Sequence, residues 1–470
     1  ALIILLSTFP LTLAEPQDTP THVFIKVNGQ ITNDVLDSLK AEGFQVLYVF
    51  DKINTVAGIA TQFELERISQ LSFVESIVYD REVGIEGYET LPSESESGNY
   101  TWNLDMINVP TVHQEYKLTG EGVYVAILDT GLVPNWRDYF EEDKIATEFA
   151  RAYLAASENA HYNPAAWEAD TNSHGTHVTS TVIGFWVYDF YRVTGVAPNV
   201  KIIPVKVLNN YGFGWFTDII AGILYIAEIY EMEVSSNGAV LPPYDEINPI
   251  VISMSLGGPT GTPALEWAIE YAIETGVFIV AAAGNEGNEG MGYPGAYPEV
   301  ISVGAAGWTG EWTATSWWRT LDVPERGEGL VDEVYVTDFS SRARSDQDLD
   351  VLAPGSWIVG PYLAYGAAHP PYWAQGVPGQ YYYLGGTSMA TPHVSGIIAL
   401  MLQQDMQDGH IDLNQYLVES ILESTALYIP PGSAIVYDPI SEEYTTLAVS
   451  YTHLRAHETR HDLVCRLLLE

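Results

Sequence analysis

Between residues 21 and 80 the apolar positions switch repeatedly between a period of two and a period near 3.6. His22-Val-Phe-Ile-Lys-Val27 alternates as a strand does, and Asn33 is placed to cap a helix carrying Val35, Leu36 and Leu39 on one side. Phe44 to Phe50 and Val56 to Ala60 read as strands, a helix follows around Phe63 to Ile68, and Val74 to Tyr79 closes the series. The order β-α-β-β-α-β predicts a small α+β, ferredoxin-like domain over 20–82. Such a plan carries no activity by itself.

From Trp102 onward the pattern changes. Val123 to Leu128, Val200 to Val207, Ile250 to Ser255, Val277 to Ala282 and Val300 to Val303 are short runs rich in Val and Ile. Thr176 to Ile183, Phe216 to Tyr230 and Ala264 to Thr275 read as helices between them, and Ser388 opens an apolar helix ending near Gln403. Continuous apolar strands separated by amphipathic helices predict an α/β domain over 101–448, a mostly parallel sheet with helices on both faces. Catalytic groups in such a sheet collect at the carboxyl ends of the strands.

The remaining segments are short. An apolar run from Ala1 ends in Thr12-Leu13-Ala14, small residues at the −3 and −1 positions, and turns polar at Glu15. It reads as a signal peptide over 1–14, too short to span a bilayer, or else as a core strand. With no Met or basic lead-in before it, the reading frame is expected to begin upstream. No other stretch reaches 18 uninterrupted apolar residues, so no membrane anchor is expected. Leu91 to Gly98 is a polar linker, and maturation cleavage is expected within 83–100. The tail at 449–470 is basic, His-rich and holds the sole cysteine, Cys465. It resembles translated sequencing-adaptor sequence, the other reading being a basic amphipathic tail, and supports no metal or redox inference.

Charge narrows the function classes. Sixty-one acidic residues oppose 19 Lys plus Arg, a formal charge of −42, which speaks against nucleic-acid binding because counter-ion release needs a basic surface. Such acidity suits salty or harsh surroundings, so the source is either salt-loving or simply an acidic secreted enzyme. Without Cys465 the chain can form no disulfide, which in an exported protein points to a prokaryotic origin.

The candidate chemistry lies in three separated fragments: Val125-Ala-Ile-Leu-Asp129-Thr-Gly131, Asn172-Ser-His174-Gly-Thr-His177-Val178 and Gly385-Gly-Thr-Ser388-Met-Ala-Thr-Pro392. They supply a carboxylate, an imidazole and a hydroxyl in the order Asp, His, Ser. Singly each is weak. Asp129 follows an apolar strand, where an ordinary turn Asp is common. His174 could serve as general base near neutral pH, or pair with His177 on a metal, though no third ligand stands nearby. Ser388 alone would be a helix cap, yet its small neighbours leave the hydroxyl accessible at a helix N-terminus. Asn285, in Ala281-Ala-Ala-Gly-Asn285-Glu-Gly287, could donate to an oxyanion or sit in a Gly turn.

Together these segments, with Ser255-Leu-Gly-Gly-Pro259, resemble the subtilase family from about Trp102 to Pro431. The resemblance implies a secreted serine endopeptidase with Asp129, His174 and Ser388 as triad and Asn285 as oxyanion donor. It implies that Ser255, Leu256, Gly257 and Ala282, Ala283, Gly284 form two edges that pair with an extended substrate. Gly292 would floor a pocket for large apolar residues, and specificity would be broad. The domain over 20–82 would be the inhibitory propeptide, binding product-like and then digested. No organic cofactor is required, and calcium is expected at most as a structural ion, its site not identifiable. Members with a tight calcium site carry an Asn-rich loop where Phe185 to Tyr191, nearly empty of oxygen ligands, stands here. Partners would be protein or peptide substrates and the propeptide, with no nucleic acid and no membrane anchor, and the enzyme would be a monomer. Insertions fall at Glu231 to Asn248, Gly310 to Tyr335 and Tyr362 to Tyr383, the last able to shape substrate access. The family's Gly-rich turn and final helix are not found after Pro431, as expected of a gene cut short near Ser450. Two other functions fit the same resemblance: a processing protease with one target, and a catalytically silent binding module.

Overall fold

The computed structural model describes residues 20–84, 100–156, 163–187, 191–235, 248–311, 323, 333–362, 381–408, 411–427, 435–438 and 443–446. The expected leader at 1–14, most of the linker, much of the three insertions and the tail at 449–470 lie outside them. By packing, the chain divides into two units, Ala1–Tyr79 and Asp80–Glu470.

The first unit has the expected order: β1 (Thr21–Val27), α1 (Asn33–Ala41), β2 (Gln45–Phe50), β3 (Thr55–Ala60), α2 (Gln62–Ile68) and β4 (Val74–Tyr79). Its sheet runs β2-β3-β1-β4, every pairing antiparallel. Val23, Ile25 and Val27 point to one face and meet Leu39, Leu65 and Ile68 from the helices in a separate core, which is the physical source of the period-two signal. One detail differs. Asn33 is not the cap of α1 but its first residue, with Thr32 in the cap position and no side-chain cap bond. The capping box belongs to α2, where Thr61 and Glu64 satisfy each other's backbone N–H groups.

The second unit begins with β5 (Glu82–Gly84), then α3 (Trp102–Met106) and the single turn α4 (Val109–Thr111). β6 (Tyr124–Asp129), β7 (Arg151–Ala152), α5 (His174–Ile183), β8 (Gly184–Val187), β9 (Tyr191–Thr194), β10 (Lys201–Lys206), β11 (Phe213–Trp215) and α6 (Phe216–Ser235) follow. Next come β12 (Ile250–Met254), α7 (Pro263–Thr275), β13 (Phe278–Ala282), β14 (Ile301–Trp308), β15 (Val334–Val336), β16 (Val351–Pro354), β17 (Ile358–Pro361) and β18 (Tyr381–Leu384). The series ends with α8 (Thr387–Asp405), α9 (Gln415–Thr425), β19 (Ile435–Asp438) and β20 (Glu443–Thr446).

The main sheet runs β20-β19-β15-β14-β13-β12-β6-β10-β7, with β16 also on β14. From β10 through β6, β12 and β13 to β14 every pairing is parallel, while β14–β15 and β19–β20 are antiparallel. The chain runs from β6 outward to β10, then crosses over to β12 on the other side of β6. That reversal opens a crevice at the carboxyl ends of β6 and β12, where open α/β sheets gather ligands.

Both faces are covered. Val125, Ile127, Ile202 and Val251 pack with Val178 and Val182 of α5 and Val394, Ile397 and Ile398 of α8. The alternate strand residues face α6, where a methyl group added to Gly222 would touch Val205 and Leu128, and α6 packs on α7. Strands with no polar side, and an α5 buried along its whole length, follow from this layering. The aromatic stretch after α5 forms a hairpin, β8 antiparallel to β9. Among the described residues no helix is long and apolar enough to cross a membrane.

Candidate active site

Asp129 ends β6, and His174 begins α5. The His174 Nδ1 lies 2.9 Å from each Asp129 carboxylate oxygen, and both residues are fully buried. A carboxylate only accepts, so Nδ1 carries the proton and Nε2 is the bare, basic nitrogen. That Nε2 is buried and has no hydrogen-bond partner. Glycine makes the approach possible. A Cβ on Gly175 would stand 2.4 Å from the Gly131 carbonyl oxygen and 3.2 Å from Asp129 Oδ1, so no other residue lets α5 start this close to the end of β6.

Ser388 is the second residue of α8 and is fully buried. Its Oγ donates to the Ser255 carbonyl at 3.1 Å, and Ser255 Oγ donates back to the Ser388 carbonyl at 2.7 Å. This exchange ties the start of α8 to the residue following β12, the strand beside β6. Asp129 and His174 are therefore joined directly, whereas Ser388 is not hydrogen-bonded to His174. The hydroxyl has one proton to donate, and the Ser255 carbonyl takes it.

Asn285 follows β13. Its Oδ1 accepts from Thr387 N at 2.9 Å and Thr387 Oγ1 at 3.1 Å, which fixes which end of the amide accepts and anchors it beside Ser388. The expectation that Ala282, Ala283 and Gly284 form a pairing edge meets a geometric objection. Ala283 N donates to Val303 O, Ala283 O accepts from Gly292 N, and Gly284 O accepts from Ser341 N, each at 2.9 Å. With its polar groups spent internally, this stretch is a wall. Ser255, Leu256 and Gly257 form a second buried stretch, and Gly258, next in the chain, exchanges two backbone bonds with Tyr293, whose neighbour Gly292 is buried and donates to Ala283.

An edge that does add a strand is one sequence reasoning missed. β11 pairs antiparallel with β5, Phe213 opposite Gly84 and Trp215 opposite Glu82. Gly214 faces inward against Val207 O and Leu208. Asp80, just before β5, is buried and accepts from the backbone N of Thr217 at 3.2 Å and from its hydroxyl, at the N-terminus of α6. A three-residue strand of two aromatics around a glycine carries no periodic signal, so only the tertiary pairing exposes it.

The two histidines of the central motif do not share a ligand. His177 Nε2 donates to the Ile358 carbonyl at 3.0 Å, and burial, then the His174 charge, pushes its pKa down to about 3. It is a neutral packing residue. Close to Asp129 and His174 in sequence and register lie two buried charges, Asp170 and Lys206, 3.8 Å apart. Burial pushes the Asp170 carboxyl up, and Lys206 pulls it back.

Comparison with known proteins gives the family and the fold. A model of the subtilase family matches residues 120–453. Subtilisin E of Bacillus subtilis (strain 168) is 29% identical over 407 residues, 85% of this chain and 82% of its own. Subtilisin of Bacillus pumilus is 32% identical over 342 residues, 72% of this chain and 94% of its own. Among solved structures, fervidolysin from Fervidobacterium pennivorans, a keratinolytic enzyme related to subtilisin, matches 89% of this chain with a TM-score of 0.61 and 23% identity. This chain spans 59% of that one, and the likeness speaks for the fold alone.

Proposed function

The chain belongs to the subtilase family of serine endopeptidases, and on that premise we propose that Ser388, His174 and Asp129 carry out its peptide-bond hydrolysis, with Asn285 as oxyanion donor. The observation that carries this assignment is the His174 ring, pinned at Nδ1 by both Asp129 oxygens while Nε2 stays buried and unpartnered.

In this reading a bound peptide draws the Ser388 hydroxyl away from the Ser255 carbonyl, a rotation about one side-chain bond. Oγ attacks the scissile carbonyl carbon as Nε2 takes its proton, and Asp129 stabilises the imidazolium. The new oxyanion meets the Asn285 amide and the N-terminal N–H groups of α8, which favour the tetrahedral over the planar state. The tetrahedral species collapses, the amine leaves with the proton from His174, and water repeats the sequence on the acyl-Ser388. Side chains and water balance every step.

Substrates are protein or peptide chains. We propose that they add as a strand to β11 and place a large apolar side chain over Gly292, between the walls at Ser255–Gly257 and Ala282–Gly284, with broad specificity. We also propose export as a zymogen: a signal peptide at 1–14, the first unit as inhibitory propeptide, and self-cleavage within 83–100 to give a monomer. The pairing of β5 with β11 and the seating of Asp80 on α6 support this, because both hold the segment after the first unit on the catalytic unit as an extended peptide.

Mass spectrometry of purified wild-type and Ser388→Ala protein tests the reading. Wild type sheds roughly its first 85 to 100 residues, a polar linker being the expected cleavable segment, and reacts with a fluorophosphonate probe. Ser388→Ala stays whole and unlabelled. Equal shedding by both would overturn self-processing, and labelling of the variant would overturn the nucleophile.

A further inference from the structure

The backbone just before His174 is gripped by one buried carboxylate. Asp170 Oδ1 accepts from Asn172 N at 2.8 Å, and Oδ2 accepts from Ser173 N at 2.8 Å. Ser173, directly before His174, has φ of 81°, a left-handed conformation that L side chains adopt only when the surroundings impose it. Asp170 Oδ2 also accepts from Thr130 Oγ1 at 2.8 Å, and that hydroxyl accepts from Gly175 N, directly after His174, at 3.0 Å. Thr130 N donates to Asp129 Oδ1 at 2.6 Å. The same short network thus touches residues 172, 173 and 175 around the imidazole and the carboxylate that orients it.

Lys206 completes the network. It sits across from Asp129 in the β6–β10 register and is 2% exposed, and its Nζ donates to the Thr130 carbonyl and, at 2.9 Å, to Asn210 Oδ1. A carboxylate that accepts three hydrogen bonds is used in its ionised form, and a buried anion needs a neighbouring cation. Lys206 supplies it.

We infer that the Asp170–Lys206 pair, acting through the Thr130 hydroxyl, is the positioning element that holds His174 against Asp129; this rests on the triad assignment above. Asp170, Thr130 and Lys206 touch no reacting atom in this scheme. They act by fixing where the imidazole stands.

Steady-state kinetics on a chromogenic peptide test this, because Thr130→Val keeps the shape and removes the hydroxyl. The expected result is a fall in kcat of about ten- to a hundredfold, the scale of a sub-ångström to ångström misplacement of a catalytic group, with KM within about twofold. Thr130→Ser, which keeps the hydroxyl, should restore kcat to within about threefold. Should Thr130→Val fail to fold, Asp170→Asn is read the same way. A second readout is the acid limb of the kcat/KM profile. The charged groups linked to His174 by the bonds above are Asp129, Asp170 and Lys206; His177, which the His174 charge reaches, is lowered to about 3 chiefly by burial, and His393 of α8, which acts on His177, to about 4 by burial. With those histidines neutral, the limb should move to lower pH in Asp170→Asn and to higher pH in Lys206→Met. Full kcat in Thr130→Val would overturn the inference, whatever the limbs do. Residual turnover by Ser388→Ala would overturn the triad assignment instead, so the two failures are distinguishable.

Discussion

Replacing Gly175 with alanine adds one methyl group at the tightest point of the site, and its effect can be worked out from distances. The new Cβ would lie 2.4 Å from Gly131 O, 3.1 Å from Gly131 N and 3.2 Å from Asp129 Oδ1. A relaxed C···O contact is about 3.3 Å, so roughly 1 Å must be absorbed, and both partners are backbone. The start of α5 has to move back from the end of β6. The His174–Asp129 bonds, 2.9 Å each, would lengthen past about 3.5 Å, beyond hydrogen-bonding range. An ångström of misplacement costs about a hundredfold in rate, equivalent to about 2.7 kcal/mol of barrier. The overpacking itself costs about 1–3 kcal/mol of stability. The assay is kcat and KM on a chromogenic peptide, with active-site titration by a fluorophosphonate to count competent enzyme and calorimetry to read Tm. A kcat within threefold of wild type at unchanged Tm would refute the argument, because it would show that α5 can retreat without disturbing the imidazole.

Two other groups give pH-dependent expectations. Burial raises the Asp80 carboxyl to about 7, against the hydrogen bonds from Thr217 and Arg81 that lower it. The seated segment therefore prefers the protonated acid, and its hold is strongest below the free-carboxyl range, weakening as pH rises toward 7. Asp80→Asn, a permanent mimic of the neutral form, should delay the appearance of activity after refolding by about tenfold at pH 8 and much less at pH 4; equal time courses at both would contradict this. On α9, Glu419 is raised to about 8 by burial, then by the charges of Asp350 and Glu423; the three carboxylates lie within 4.8 Å of one another. A raised carboxyl withdraws stability as pH climbs from the free-carboxyl range to 8. Screening at this half-buried site leaves about 1 kcal/mol, so Glu419→Gln in a Ser388→Ala background should raise Tm by about 2 °C at pH 9 and leave it unchanged at pH 4.

The parts legible in the sequence are those whose burial is one- or two-sided and continuous. β1 shows a period of two because Val23, Ile25 and Val27 alone face the helices, and β6, β12 and β13 read as unbroken apolar runs because α5 and α8 cover one face and α6 the other. The start of α5 at His174 is where the His-Gly pair suggests it, two residues before the periodic stretch from Thr176, and the left-handed Ser173 stands just before it. α9 escaped notice because Tyr416 and Leu417 are exposed while Val418 and Leu422 are buried, which blurs the stripe. β11 and the Asp170–Lys206 pair depend on partners 36 to 133 residues away (residue 206 against 170, 215 against 82), and no local pattern encodes such distances.

The same layering explains how a chain with a formal charge of −42 can run a one-proton reaction on a single histidine. Around His174 the fixed charges cancel in pairs. Asp170 is balanced by Lys206, and His177, its pKa near 3, stays neutral through the working range. Acidic groups beyond about 8 Å through water are screened at physiological ionic strength. Removing Lys206 or Asp170 would leave a buried charge unpaired beside the base, and the imidazole would respond to it whether or not its position changed. For that reason the opposite shifts expected for Asp170→Asn and Lys206→Met report on charge, whereas kcat in Thr130→Val reports on geometry.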